Sequence, residues 1–149
     1  MTIHNGLYKL SVKTYDSRLY VGLSRDPEPS NVDEGIQVLV GPESLTTVVE
    51  VRNIDENLYE LHLWYHSGLG LGHNTVQSLS GSQVVATSNT AEWLIEQGSR
   101  PNRYRISIPG SDLYWTKVPV GREGETRIAL HPLEGRSAEE WTFELQRNH

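Results

Sequence analysis

Three short stretches of the chain decide its fold: Leu7-Tyr8-Lys9-Leu10, Leu58-Tyr59-Glu60-Leu61 and Arg103-Tyr104-Arg105-Ile106. Each begins a run in which apolar and polar side chains alternate, and each has a tyrosine at its second position. A period of two places successive side chains on opposite faces, which is typical of a β-strand with one buried face. The tyrosines are 51 and 45 residues apart. This spacing indicates a structural unit that occurs three times.

The rest of the chain continues the same pattern. Short alternating or apolar runs are separated by clusters of Gly, Pro, Asn, Asp and Ser, and no long segment has the apolar stripe of a helix. The sequence therefore predicts an all-β protein with about twelve strands. The last runs of the three units can also be aligned, with Val48, Trp93 and Trp141 at matching positions.

Three units of four strands, each about 48 residues long, account for nearly the whole chain. They are predicted to begin near Gly6, Asn57 and Asn102. A four-stranded unit cannot bury its apolar face alone, whereas three units around a threefold axis share one core and close a barrel without exposed edges. We therefore expect a single β-trefoil domain over residues 1–149. Six residues are assigned to equivalent barrel positions in its core: Tyr8, Tyr59, Tyr104, Val48, Trp93 and Trp141.

Composition excludes several classes of protein. The 149 residues include no cysteine, which excludes disulfide frameworks, thiol catalysis and cysteine-based zinc sites. Thirteen Lys and Arg against nineteen Asp and Glu give a net charge of −6, which argues against a nucleic-acid partner. No apolar run is long enough for a membrane span, and the first residues lack the pattern of a signal peptide. We expect a cytoplasmic monomer without a membrane partner.

No motif for catalysis or for a cofactor is present. The segment Gly68–His73 resembles a nucleotide-binding loop but has His73 where the fingerprint needs a glycine. His62 and His66 share a strand face, but a third metal ligand at a suitable spacing is missing, so we expect them to face solvent. The adjacent acids Glu139-Glu140 are expected on the solvated surface. The sequence thus predicts no catalytic residue, no metal site, no cofactor and no enzyme activity.

The most informative loop is predicted between the second and third strands, over residues 23–35. It is long for a compact barrel, and Arg25 is its one basic residue. Pro27 fixes its own backbone and biases Asp26 toward an extended conformation. An extended, stiffened segment that presents one arginine suits the specificity pocket of a trypsin-like protease. An ordinary solvated loop explains the same residues equally well.

The whole chain resembles the β-trefoil protease inhibitors of mushrooms, the mycospin and mycocypin group, and is most similar to the cospin-like trypsin inhibitors. The resemblance rests on the opening Asn5-Gly6-Leu7-Tyr8-Lys9-Leu10, the ending Glu140-Trp141-Thr142-Phe143-Glu144, and the cysteine-free length. It implies a fungal defence protein, released when tissue is damaged, that inhibits trypsin-like serine proteases through one surface loop. The residues of that loop would be Ser24, Arg25, Asp26 and Pro27, with Arg25 in the specificity pocket. The glycine-containing loops of the group's cysteine-protease inhibitors have no counterpart here.

Two alternatives remain open at the level of sequence. Arg122 and Arg136 are further candidates for the inhibitory arginine, although neighbouring glycines raise the cost of ordering their loops. The alternative function is that of a carbohydrate-binding β-trefoil lectin. Ricin-like lectins carry Gln-x-Trp in the last strand of each unit, and none of the three units here has that glutamine. Trp64 and Trp115 are the residues that would stack on a sugar.

Overall fold

The computed structural model describes residues 3–14, 17–23, 36–66, 68–73, 83–120, 125–135 and 139–146. Within them lies a 3₁₀ turn (Glu43–Leu45) and no helix that is long and apolar enough to cross a membrane. The described strands are β1 (Gly6–Lys13), β2 (Arg18–Leu23), β3 (Ile36–Gly41), β4 (Val49–Asp55), β5 (Leu58–Leu63), β6 (Gly70–His73), β7 (Val84–Thr87), β8 (Glu92–Gln97), β9 (Tyr104–Ser107), β10 (Tyr114–Val120), β11 (Glu125–His131) and β12 (Trp141–Leu145).

Six strands form a closed ring of antiparallel pairs, in the order β1, β4, β5, β8, β9 and β12, with β12 paired again to β1. Closure leaves none of these strands with a free edge. Each unit contributes its first and fourth strands to the ring. The barrel predicted from the sequence is confirmed.

The second and third strands of each unit form hairpins outside the ring: β2–β3, β6–β7 and β10–β11. The hairpins also pair with one another, because β3 contacts both β7 and β11, and Gln83 bridges to Ala129. Buried side chains of the hairpins and of the ring belong to one hydrophobic cluster. The observed arrangement is the β-trefoil, and its units begin within two residues of the predicted starts.

The register corrects one of the predicted equivalences. Tyr59 pairs with Trp93, and Tyr104 pairs with Trp141, as the repeat requires. Tyr8, however, pairs with Val49 rather than Val48, and Val49 is fully buried whereas Val48 precedes the strand and is only half-buried. A shift of one residue turns a strand side chain to the opposite face, so Val49 occupies the core position in the first unit.

Tryptophans fill the centre of the core. Trp93, Trp115 and Trp141 are all fully buried, and their rings pack edge to face, an arrangement that aromatic quadrupoles favour. Trp93 Nε1 donates to the carbonyl of Leu71 at 2.9 Å, and Trp141 Nε1 donates to that of Trp115 at 3.0 Å. The predicted core role of Trp93 and Trp141 is therefore confirmed.

The first unit has no tryptophan at the position of Trp93 and Trp141. The carbonyl of Val21, which corresponds to those of Leu71 and Trp115, accepts hydrogen bonds from other donors. The carbonyl oxygen of Val21 accepts hydrogen bonds from Thr46 Oγ1 at 3.0 Å and from the backbone N–H of Thr47 at 3.1 Å. The backbone bond has an equivalent in the second unit, from Ala91 N–H to the carbonyl of Leu71. A buried carbonyl that loses a donor is costly, so the Thr46 hydroxyl replaces the missing indole. As a result, the connection between β3 and β4 lies directly against β2.

Candidate functional site

The predicted inhibitory loop starts where β2 ends, and this end of the strand is held firmly. β2 pairs with β3 as far as Leu23, which lies opposite Val38. Gly22 bridges to Thr46, and a Cβ atom at Gly22 would collide with the backbone carbonyl oxygen of Leu45. Only glycine permits this close approach. The 3₁₀ turn thereby clamps β2 one residue before it ends.

The other end of the predicted loop is held just as firmly. Ile36, the first residue of β3, is fully buried and pairs with Ala86 of β7, and Gln37 pairs with Val85. The predicted loop residues Ser24, Arg25, Asp26 and Pro27 lie outside the described residues, between these two fixed ends. The predicted loop is therefore attached to the barrel at two ordered ends.

The two alternative arginines, Arg122 and Arg136, also lie outside the described residues. Arg122 follows β10, and Arg136 falls between β11 and β12. The connection between β11 and β12 is held at one point, because the fully buried carboxylate of Glu139 accepts a hydrogen bond from the backbone N–H of Glu134 at 2.7 Å. The sequence missed this support, which partly offsets the flexibility expected from Gly135.

Among the basic residues that the structure describes, Arg100 is the most prominent candidate for a protease pocket, because it is exposed next to Pro101. Its carbonyl, however, accepts a hydrogen bond from the N–H of Arg103 at 3.1 Å, and Gly98 N–H bonds to the carbonyl of Arg103. This closed turn differs from the extended backbone of a bound protease substrate. Arg100 therefore lacks the backbone geometry expected of an inhibitory arginine.

Glu140 anchors the same turn, which corrects the prediction that Glu139 and Glu140 lie on the solvated surface. Its buried carboxylate accepts hydrogen bonds from Ser99 N at 2.9 Å, from Ser99 Oγ at 2.8 Å and from Arg105 Nη2 at 3.2 Å. Burial alone would raise the pKa of the Glu140 carboxyl. The Ser99 hydrogen bonds and the charges of Arg105 and Arg103 outweigh burial and hold that pKa below its ordinary value.

The described histidines have different surroundings. His62 Nε2 lies 2.9 Å from Glu60 Oε1, and His66 is half-buried rather than fully exposed. His73 packs edge to face against Trp93, and burial lowers the pKa of its imidazole. No group of three potential metal-ligating side chains occurs within the described residues.

Trp64 and Trp115, the two tryptophans predicted to stack on a sugar, differ in solvent exposure. Trp115 is fully buried in the core, so the prediction that it stacks on a sugar is wrong. Trp64 has 49% of its surface exposed, and the next residue, Tyr65, has 71%. Both belong to the turn between β5 and β6, and no sequence pattern distinguishes Tyr65 as a binding residue.

Tyr65 borders a hollow of about 430 Å³ at the junction of the first and second units. We call it the Tyr65 hollow. The residues that line it in the described part of the chain are Leu23, Ser44, Leu45, Thr46, Thr47, Tyr65 and His66. Its two walls are tied together, because Trp64 N–H donates to the carbonyl of Val48 at 3.0 Å.

Comparison with protein-family models and with curated proteins gives no match. Solved structures do match, over nearly the full length. One is a salivary protein from Culex quiquefasciatus of the Cysteine and Tryptophan-Rich family, with 13% identity, 97% of this chain and 96% of that chain covered, and a TM-score of 0.73.

Two further solved structures are similar. One is the Macrolepiota procera ricin B-like lectin in complex with lactose, with 17% identity, coverage of 98% and 100%, and a TM-score of 0.68. The other is described as the BEL β-trefoil, with 15% identity, coverage of 98% and 97%, and a TM-score of 0.62. At such low identity, the likeness shows the fold alone. Together with the strand pairing it shows that the chain is a β-trefoil.

Proposed function

We propose that this protein inhibits trypsin-like serine proteases through the segment between β2 and β3, with Arg25 as the residue that enters the specificity pocket. The observation that carries the proposal is the fixation of both ends of this segment. Gly22 and Leu23 are held by the 3₁₀ turn and by β3, and Ile36 is buried and paired with β7.

A fixed base matters because ordering a flexible segment costs free energy when it binds. A loop whose ends are already ordered loses less conformational entropy in the complex, and more of the contact energy is retained as affinity. Pro27 and Pro29 restrict the backbone of the segment further. The same restriction opposes separation of the two ends if the protease cleaves the peptide bond, which slows turnover.

Arginine suits the pocket on chemical grounds. The specificity pocket of trypsin contains a buried aspartate, and a guanidinium pairs with a carboxylate through two parallel hydrogen bonds. Ser24 and Asp26 would flank the bond presented to the enzyme. We further propose that the protein acts as a cytoplasmic monomer, needs no cofactor and has no enzyme activity of its own.

Carbohydrate binding is the second candidate function, favoured by the exposure of Trp64. A ricin B-like lectin in complex with lactose shares the fold. Binding in the ricin-like manner has little support, since no unit has the Gln-x-Trp triplet and Trp115 lies in the core. Protease inhibition therefore takes precedence.

Titration of trypsin, chymotrypsin and papain with the purified protein tests the proposed function. Trypsin inhibition is expected at least ~100-fold tighter than that of chymotrypsin, which corresponds to ~2.7 kcal/mol, because the chymotrypsin pocket is hydrophobic. Papain should be unaffected. Equal inhibition of trypsin and chymotrypsin would show that another loop acts, and nanomolar inhibition of papain would assign the protein to inhibitors of cysteine proteases.

A further inference from the structure

The Tyr65 hollow breaks the threefold symmetry of the molecule. The turn between β9 and β10 in the third unit has the same closing hydrogen bond, from Ile108 N–H to the carbonyl of Leu113, as the turn from Leu63 to Leu69. At the position of Tyr65 the third unit has Gly110, which has a positive φ of 77°. Folding of the turn thus does not require an aromatic side chain there.

The opposite wall departs from symmetry as well. Seven residues, 42–48, connect β3 to β4 and include the 3₁₀ turn, whereas four residues, 88–91, connect β7 to β8 and nine residues, 132–140, connect β11 to β12. The 42–48 connection leaves Leu45 65% exposed at the edge of the hollow. Two large, exposed side chains that the repeated fold does not need, Leu45 and Tyr65, therefore face one hollow.

The polar groups of the hollow indicate the chemistry of a ligand. Among the residues that line it, Ser44 and Thr47 carry hydroxyls and His66 carries an imidazole, and none of these three side chains has a hydrogen-bond partner within the described residues. No Asp, Glu, Lys or Arg is among the described residues that line it. Among the described lining residues, a ligand meets hydroxyls that both donate and accept, an exposed aromatic ring and no charged side chain.

We infer that the Tyr65 hollow is a binding site for a neutral saccharide. A pyranose ring offers a face of C–H groups for the Tyr65 ring and equatorial hydroxyls for Ser44, Thr47 and His66. The hollow, at about 430 Å³, is within the usual size range of small-ligand sites. Its walls are preorganised by the bond from Trp64 N–H to Val48 and by the two threonine bonds to Val21. The inference deepens the second candidate function, carbohydrate binding, with Tyr65 rather than Trp64 as the stacking residue, and it does not rest on protease inhibition.

The test begins with an array of neutral glycans that end in galactose, glucose, mannose, fucose, N-acetylglucosamine or N-acetylgalactosamine. The methyl glycoside of the strongest hit is then titrated against the protein by NMR. Tyr65→Ala should weaken its binding about tenfold or more, because the stacking face is lost. Trp64→Ala is the matched control: Trp64 is the adjacent exposed aromatic but is not among the residues that line the hollow, so its loss should change affinity less than twofold.

A second variant, Thr47→Val, removes a hydroxyl while keeping the shape of the side chain, and should weaken binding at least threefold. It keeps the proposal testable if Tyr65→Ala fails to fold. Arg25→Asn should bind the glycoside like the wild type, which separates this site from the proposed inhibitory loop. Absence of any glycan hit would overturn the inference, and so would a hit whose affinity is unchanged by both Tyr65→Ala and Thr47→Val.

Discussion

Glu140 shows how much one buried carboxylate contributes in a chain without disulfides. Glu140 directly precedes β12, and its carboxylate joins this position to Ser99 and Arg105, which lie 41 and 35 residues earlier in the chain. Hydrogen bonds to a charged group contribute about 1.5–3 kcal/mol to stability. Gly98 is part of the same contact, because a Cβ atom there would lie 3.0 Å from the Glu140 carboxyl.

Replacing Glu140 with Gln should lower the free energy of unfolding at pH 7 by about 1–3 kcal/mol. The pKa of Glu140 is lower in the folded protein than its ordinary value of 4.5. Its stabilisation is therefore complete above pH 4.5 and is lost as the pH falls through the folded-state pKa. Urea unfolding over the acid range should show this loss for the wild type and not for Glu140→Gln.

Glu96→Gln serves as the control, since the Glu96 side chain is exposed and makes no hydrogen bond or ion pair within the described residues. It should leave both the stability at pH 7 and its acid dependence within ~0.5 kcal/mol of the wild type. Equal effects of Glu140→Gln and Glu96→Gln would contradict the role assigned to the buried carboxylate.

Two predictions made from the sequence, the exposure of Glu139 and Glu140 and the core position of Val48, are wrong for reasons that lie in single residues. Adjacent acids usually are solvated, which favours the surface for Glu139 and Glu140, but the partners of Glu140 lie 41 and 35 residues away in sequence. The alignment of the units selects Val48 instead of Val49, because two valines are adjacent and the first unit has no tryptophan to mark the buried position. Local periodicity contains neither kind of information.

At the scale of elements, the clamp on β2 is the feature that links fold to proposed function. The 3₁₀ turn packs on Gly22 so closely that a methyl group has no space. Gly22→Ala should therefore lower the free energy of unfolding by about 1–3 kcal/mol, and trypsin inhibition should weaken because the end of β2 is displaced. Thermal unfolding and a trypsin titration of the same sample measure both effects.

The matched control is Gly41→Ala, in the strand that pairs with β2. A Cβ atom at Gly41 has no atom within 4 Å, so this change should alter stability by only ~0.5 kcal/mol or less and leave inhibition intact. If Gly22→Ala is as stable and as inhibitory as Gly41→Ala, the 3₁₀ turn does not clamp β2.

The strands themselves could be predicted from sequence, and the Tyr65 hollow could not. Alternation with period two and the three spaced tyrosines are local signals, and they fixed the barrel strands to within a few residues. The hollow combines the 42–48 connection of one unit with a turn of the next. Its residues are individually ordinary, and only the folded arrangement brings Tyr65 opposite Leu45.

For the molecule as a whole, the core is close to threefold symmetric and the surface is not. Trp93 and Trp141 bind equivalent carbonyls, and the first unit reaches the same result with Val49 and Thr46. The connections differ in length in all three units, and both proposed sites use those of the first unit, namely the segment after Leu23 and the 42–48 connection beside the Tyr65 hollow. A symmetric core thus supports an asymmetric surface on which both proposed sites lie.

The central claim is that Arg25 carries protease inhibition, and trypsin titrations of Arg25→Asn, Arg122→Asn and Arg136→Asn test it directly. An arginine that fills a desolvated pocket is a binding hot spot, and losing it costs several kcal/mol. At ~4 kcal/mol, a nanomolar inhibition constant becomes roughly micromolar. The account predicts this loss for Arg25→Asn alone, with a circular dichroism spectrum like that of the wild type. Full inhibition by Arg25→Asn together with loss of inhibition in Arg136→Asn would contradict it and assign the inhibitory loop to the third unit.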